Sequence, residues 1–159
     1  MTNDPKLDAL ERLVGTWTTE ATHPAMPGVV VRGTAVFEWL EGERFLIQRA
    51  RNDHPDFPDS IAILGSTARD RVAAGTRVAG PTDEPLRMHY YDSRGVFRDY
   101  EARIDAAAWR TELSSPGLSQ RFTGTFSQGG DQIDGLVQMC EDDRTWHDDL
   151  RITYRRAAR

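Results

Sequence analysis

The chain has almost no cysteine, almost no lysine and no long apolar run. Each scarcity removes a class of protein. Cys140 is the only cysteine, so no intramolecular disulfide can staple the fold. That fits a reducing compartment, and with no secretory signal visible after Met1 a cytoplasmic location is expected. No apolar stretch approaches the roughly 18–20 residues of a membrane span, so no membrane partner is expected. Lys6 is the only lysine among 20 basic residues, and the formal net charge is -5. An acidic balance argues against nucleic acid, whose ligands need a basic stripe. The arginine bias, with abundant alanine and glycine, reads first as codon economy of a GC-rich bacterial genome.

Catalytic and cofactor signatures are equally sparse. The four histidines have no close ligand spacing, and one cysteine cannot build a zinc knuckle, so no metal site is expected. No Gly-x-Ser-x-Gly elbow, glycine-rich phosphate loop or dinucleotide fingerprint is present. Cys140 sits in an acidic stretch that disfavours its thiolate.

What the chain does have is alternation. Asp4-Pro5 is a good helix start, Leu7, Leu10, Leu13 and Val14 share a helical face, and Gly15 is a natural stop. A short helix over about 5–14 follows. From Thr16 the period switches to two, and strands are predicted near 16–23, 29–40, 44–51, 60–66, 86–92, 96–103, 108–113, 119–127, 132–140 and 146–155. Turn residues such as Pro27-Gly28, Gly42, Gly95, Pro116-Gly117 and Gly129-Gly130 separate them. Short connections imply antiparallel neighbours. The expectation is an all-β fold: one antiparallel up-and-down barrel of about ten strands over 16–155, in a single domain spanning 1–159. A two-sheet sandwich is the structural rival. The segment Arg71–Pro85, rich in alanine, glycine and proline, is expected to be a flap or an extra strand.

Phase assigns faces. Val29, Val31, Gly33, Ala35, Phe37 and Trp39 share one side, and Trp17 aligns with Thr19, Ala21 and His23. Further inward positions are Met88, Tyr90, Val96, Tyr100, Trp109, Gln120, Phe122, Phe126, Ile133, Val137 and Met139. The last strand adds Trp146, Asp148, Leu150, Ile152 and Tyr154. The loop carrying His54 and Phe57 should cross a barrel end. A β-bulge would reverse any of these assignments beyond it. The rings either fill the barrel or, with small neighbours such as Ala21, Gly33, Ala35 and Gly135, line a cavity.

The candidate ligand-binding residues are therefore Trp39, Phe37, His54, Met88, Tyr90, Tyr100, Trp109, Phe122, Met139 and Trp146. Asp148 and His23 are the candidate catalytic pair. A carboxylate on an apolar face is costly unless paired. Asp148 would either act as an acid or base, or sit at a solvated mouth or against an inward arginine such as Arg49 or Arg98. His23 could act as a base, hold a hydroxyl or ligate haem iron.

Six segments, Leu10–Trp17, Gly42–Gln48, His54–Ser60, Met88–Gly95, Gln120–Phe126 and Trp146–Tyr154, resemble a bacterial family of small calycin-like proteins of the DUF1579 kind. The resemblance is carried best by Gly15-Thr16-Trp17 opening the first strand. It implies a lipocalin- or nitrobindin-like barrel and assigns no general activity. The chain departs from the haem-binding nitrobindin pattern, since Thr18 to Pro24 lacks the glycine alternation found there. The expected function is binding of a small hydrophobic or aromatic molecule, without a cofactor and with homodimerisation as an option. One alternative is a cofactor-independent cyclase, isomerase or dehydratase acting on a polyketide- or terpenoid-like substrate. The other is a haem protein.

Overall fold

The computed structural model describes residues 4–66 and 85–157. Pro5–Ala9 forms a helix, α1, and Leu10–Leu13 continues it as a 3-10 turn. Asp4 caps the helix through the Lys6 amide at 2.9 Å. The predicted helix thus tightens in its second half. Its Leu7, Leu10 and Leu13 are buried.

Ten strands follow: β1 Gly15–Thr22, β2 Val31–Trp39, β3 Phe45–Asn52, β4 Ser60–Gly65, β5 Leu86–Asp92, β6 Phe97–Ile104, β7 Ala108–Ser115, β8 Leu118–Phe126, β9 Gln132–Cys140 and β10 His147–Arg156. Each pairs antiparallel with its sequence neighbours, and β1 pairs with β10 to close the barrel. Closure removes the exposed strand edges that a sandwich keeps. The fold is calycin-like. Most of the predicted flap, Arg71–Pro85, lies outside the described residues.

β2 approaches its neighbour closely at one point. A Cβ at Gly33 would lie 2.3 Å from the Arg51 carbonyl oxygen, so only glycine fits where β2 meets the end of β3.

One end of the barrel is plugged. Trp17 is fully buried and its Nε1 donates to the Leu13 carbonyl at 2.8 Å. Arg156 stacks over the Trp17 ring at 4.2 Å and donates to the Val14 and Arg12 carbonyls at 2.7 and 3.0 Å. This ties the end of β10 to the helix. Leu46, Leu64, Leu86 and Ile133 complete the core beneath the plug.

Two irregularities shape the other end. The β6–β7 ladder covers only Glu101–Ile104 with Trp109–Glu112, so the two strands diverge above it. The β9–β10 register shifts between Asp148 and Leu150, which makes Asp149 the extra residue of a bulge.

Candidate functional site

The half of the barrel opposite the helix encloses a cavity of about 500 Å³. That is the size of a drug-like ligand site. Alternation places its wall: Met88 and Tyr90 from β5, Arg98 and Tyr100 from β6, Trp109 and Thr111 from β7, Gln120 and Phe122 from β8, Val137 from β9, and Leu150 and Tyr154 from β10. Loops form the mouth. His23, Ala25 and Met26 come from the β1–β2 connection, and Asp56, Phe57 and Pro58 from the β3–β4 connection. The second loop is pinned by Asn52 Nδ2 donating to the Pro58 carbonyl at 2.8 Å. It is tied to the β5–β6 turn by the Asp59 amide donating to Ser93 Oγ at 3.1 Å.

The floor is polar, although the rings around it are not. Gln48, Thr111 and Gln120 are all buried. Tyr100 donates to Gln120 Oε1 at 2.8 Å. Burial pushes the Tyr100 hydroxyl up, against the pull of the nearby Arg98 guanidinium. Burial also pushes Tyr154 up, to about 12, with the Gln48 amide drawing it back down. Trp109 is held by three edge-on rings, Phe37 at 5.7 Å, Phe122 at 4.9 Å and Tyr154 at 6.2 Å. Its Nε1 is a buried donor with no hydrogen-bond partner among the described residues. A buried unpaired N–H costs about 1–3 kcal/mol.

The rim carries charge in matched sets. Asp92 has a fully covered side chain. It accepts from Arg94 Nη2 at 2.7 Å and from the Tyr90 hydroxyl at 2.8 Å. The Arg94 bonds hold the Asp92 carboxyl well below the usual carboxylate range. Burial first, and then the Asp92 bond, push Tyr90 far up. On the opposite wall His23 Nε2 meets Asp149 Oδ1 at 2.8 Å. His23 Nδ1 accepts from the Ala25 amide at 3.0 Å, so the ring proton lies on Nε2 and is donated to Asp149.

The expected site residues separate into three groups. Met88, Tyr90, Tyr100, Trp109 and Phe122 line the cavity, with His23 at its mouth. Phe37, Trp39, His54 and Met139 do not line it. Phe37 is buried beneath Trp109. Trp39 reaches the plugged end, where its Nε1 donates to Glu11 Oε2 at 2.7 Å. His54 stacks edge-on against Phe57, which does line the mouth. Met139 is partly buried on β9.

Asp148 and Trp146 need correction, because the bulge at Asp149 reverses the phase of the residues before it. Asp148 points to the outer face, accepting from Gln138 Nε2 and Arg151 Nη2 at 3.0 Å each. Trp146 precedes β10 and stacks beneath the Arg121 guanidinium at 4.1 Å, more than a third exposed. The histidine therefore meets Asp149 rather than Asp148. Arg49 lies on the outer wall in an ion pair with Glu38, whereas Arg98 does enter the cavity. Val29 precedes β2 and is exposed.

Several cavity residues lie outside the expected ligand-binding set. Gln48 and Thr111 were signalled, since they alternate with the inward Leu46 and Trp109. Asp149 was not, because two adjacent aspartates hide the extra residue.

A histidine-ligated haem would need a free imidazole nitrogen. His23 is the only histidine on the cavity wall among the described residues, and both of its ring nitrogens are engaged. The site as built does not fit an axial iron ligand. No group of three metal-ligating side chains occurs among the described residues.

No family model matches the chain, and no curated protein is similar to it. Solved structures are. Rv2717c from M. tuberculosis superposes with a TM-score of 0.63 at 15% identity, over 97% of this chain and 98% of that one. The S-type phycobiliprotein lyase CPES from Guillardia theta gives 0.53 at 9% identity, over 96% and 92%. Both are lipocalin- or calycin-like barrels, and at these identities the likeness is one of fold.

Proposed function

We propose that the barrel binds one small, largely aromatic or hydrophobic molecule that carries a hydrogen-bond acceptor at its inner end. The observation that carries this reading is Trp109 Nε1–H, which has no hydrogen-bond partner among the described residues, beside a cavity of about 500 Å³. A filled barrel would leave no such space, and a simple core would not hold a donor without an acceptor. The apolar rings supply burial, and Trp109, Gln48 and Thr111 supply orientation. The resemblance to DUF1579-like proteins supports the same container reading, as does the likeness to calycin-like barrels.

Catalysis is the second reading, and the similar lyase supports it by example of the fold. The mouth chemistry favours binding. His23 has no free lone pair to take a proton while it holds Ala25 and Asp149. Tyr90 is held in its neutral form. No cofactor is required by this proposal.

Native mass spectrometry of freshly purified protein tests it. The expected result is one bound small molecule per chain, or stoichiometric uptake of prodan, a naphthyl ketone, after the protein is stripped. A chain that carries nothing and takes up no prodan would refute the proposal.

A further inference from the structure

We infer that the ligand is an anion, its carboxylate or sulfonate-like group seated on Arg98 while its aromatic body occupies the barrel. This rests on the container reading above. Arg98 pairs across β5 with Tyr90 and alternates with Tyr100, both of which line the cavity, so its side chain enters from the wall. It arrives where β6 and β7 have diverged, which leaves room beside it.

The guanidinium is not neutralised. The Tyr100 hydroxyl beside it feels its charge and donates its own proton to Gln120 Oε1 at 2.8 Å. Gln120 is only 5% exposed, so the hydroxyl next to Arg98 is tied to a buried floor. The neighbouring charges are committed elsewhere. Arg94 is held by Asp92 at 2.7 Å, and Asp149 takes the His23 proton at 2.8 Å. Asp56 stands at the mouth with its side chain 74% exposed to water. Among the described residues no carboxylate comes within ion-pair distance of Arg98.

Arginine cannot shed its proton to escape a half-buried position. It needs an anion, and its planar fork fits the two oxygens of a carboxylate or sulfonate. The described residues of the wall offer none, so the ligand supplies it.

Two probes with one aromatic body separate this inference from the container reading. Anilinonaphthalene sulfonate carries the anion, and N-phenylnaphthylamine lacks it. Fluorescence titration of the full chain should show the sulfonate bound about tenfold or more tightly than the neutral probe. Arg98→Gln should abolish that preference and leave the neutral probe's affinity unchanged. Arg98→Lys should restore part of it. Phe97→Ser, on the exposed outer face, should change neither affinity, which excludes outer-wall binding. Equal affinity for both probes in the unmodified protein would overturn the anion inference while the container stands. So would an Arg98→Gln protein that keeps the preference. Failure of both probes to bind would overturn the container reading and this inference with it.

Discussion

Replacing Trp109 by phenylalanine tests whether the indole N–H is there for a ligand. That donor is buried and has no hydrogen-bond partner among the described residues. Removing it relieves a penalty of about 1–3 kcal/mol. The smaller ring also gives up packing against Phe37, Phe122 and Tyr154, which surround the indole edge-on. A large-to-smaller aromatic change of this kind costs about 1–3 kcal/mol. The two effects oppose each other, so the urea midpoint should move by the equivalent of about 1 kcal/mol or less. Binding should behave differently. A ketone oxygen on the indole N–H satisfies a donor that is otherwise unpaired, worth about 1.4 kcal/mol, or tenfold in affinity. Prodan should therefore bind Trp109→Phe about tenfold more weakly than the unmodified protein, with blue-shifted emission as its carbonyl loses a donor. A loss of stability above about 3 kcal/mol with prodan affinity unchanged would refute the reasoning, since the indole would then be a packing element only.

The bulge assignment predicts unequal aspartates. Asp149→Ala should cost about 1 kcal/mol in chemical denaturation, because His23 Nε2–H loses its acceptor, whereas Asp148→Ala on the outer face should stay within about 0.5 kcal/mol. Equal costs would place the two side chains wrongly. Alkaline titration checks the cavity floor. Tyr154 is held near 12 in the folded barrel against about 10 in an unfolded chain, so its burial favours the folded state fully below about pH 10. That contribution is lost as pH rises toward 12. Phenolate absorbance should lag behind a free-tyrosine curve and then rise together with unfolding. A reversible Tyr154 titration at its ordinary value in the folded protein would contradict its burial.

How much of this was legible in the chain follows from what alternation can encode. It encodes side. Met88, Tyr90, Tyr100, Trp109 and Phe122 were assigned inward from period two alone, and they line the cavity. Turn residues fixed the strand ends to within a residue or two at most boundaries, as with Gly95 before β6 and Gly130 before β9. Alternation does not encode height along the barrel. Phe37 and Trp39 share the inward side of β2, yet they sit at the plugged end, where Trp39 meets Glu11 instead of a ligand. Nor does it mark a bulge between like residues. His147-Asp148-Asp149-Leu150 carries no apolar beat until Leu150, so the phase carried back from Tyr154 and Ile152 ran straight through the register shift. The polar floor was half-visible. Gln120 falls in an inward set, and Gln48 and Thr111 follow the same beat, but a polar side chain beside aromatic residues carries no signal that it faces a ligand.

In the function proposed above, the upper barrel is a container for one small molecule. Native mass spectrometry with prodan tests it most directly, because stoichiometry distinguishes one enclosed site from scattered surface adsorption. A container of this kind should give a single complex of one chain with one prodan, saturating with concentration and weakened about tenfold by Trp109→Phe. Absence of any complex, or a ladder of adducts indifferent to that substitution, would contradict it.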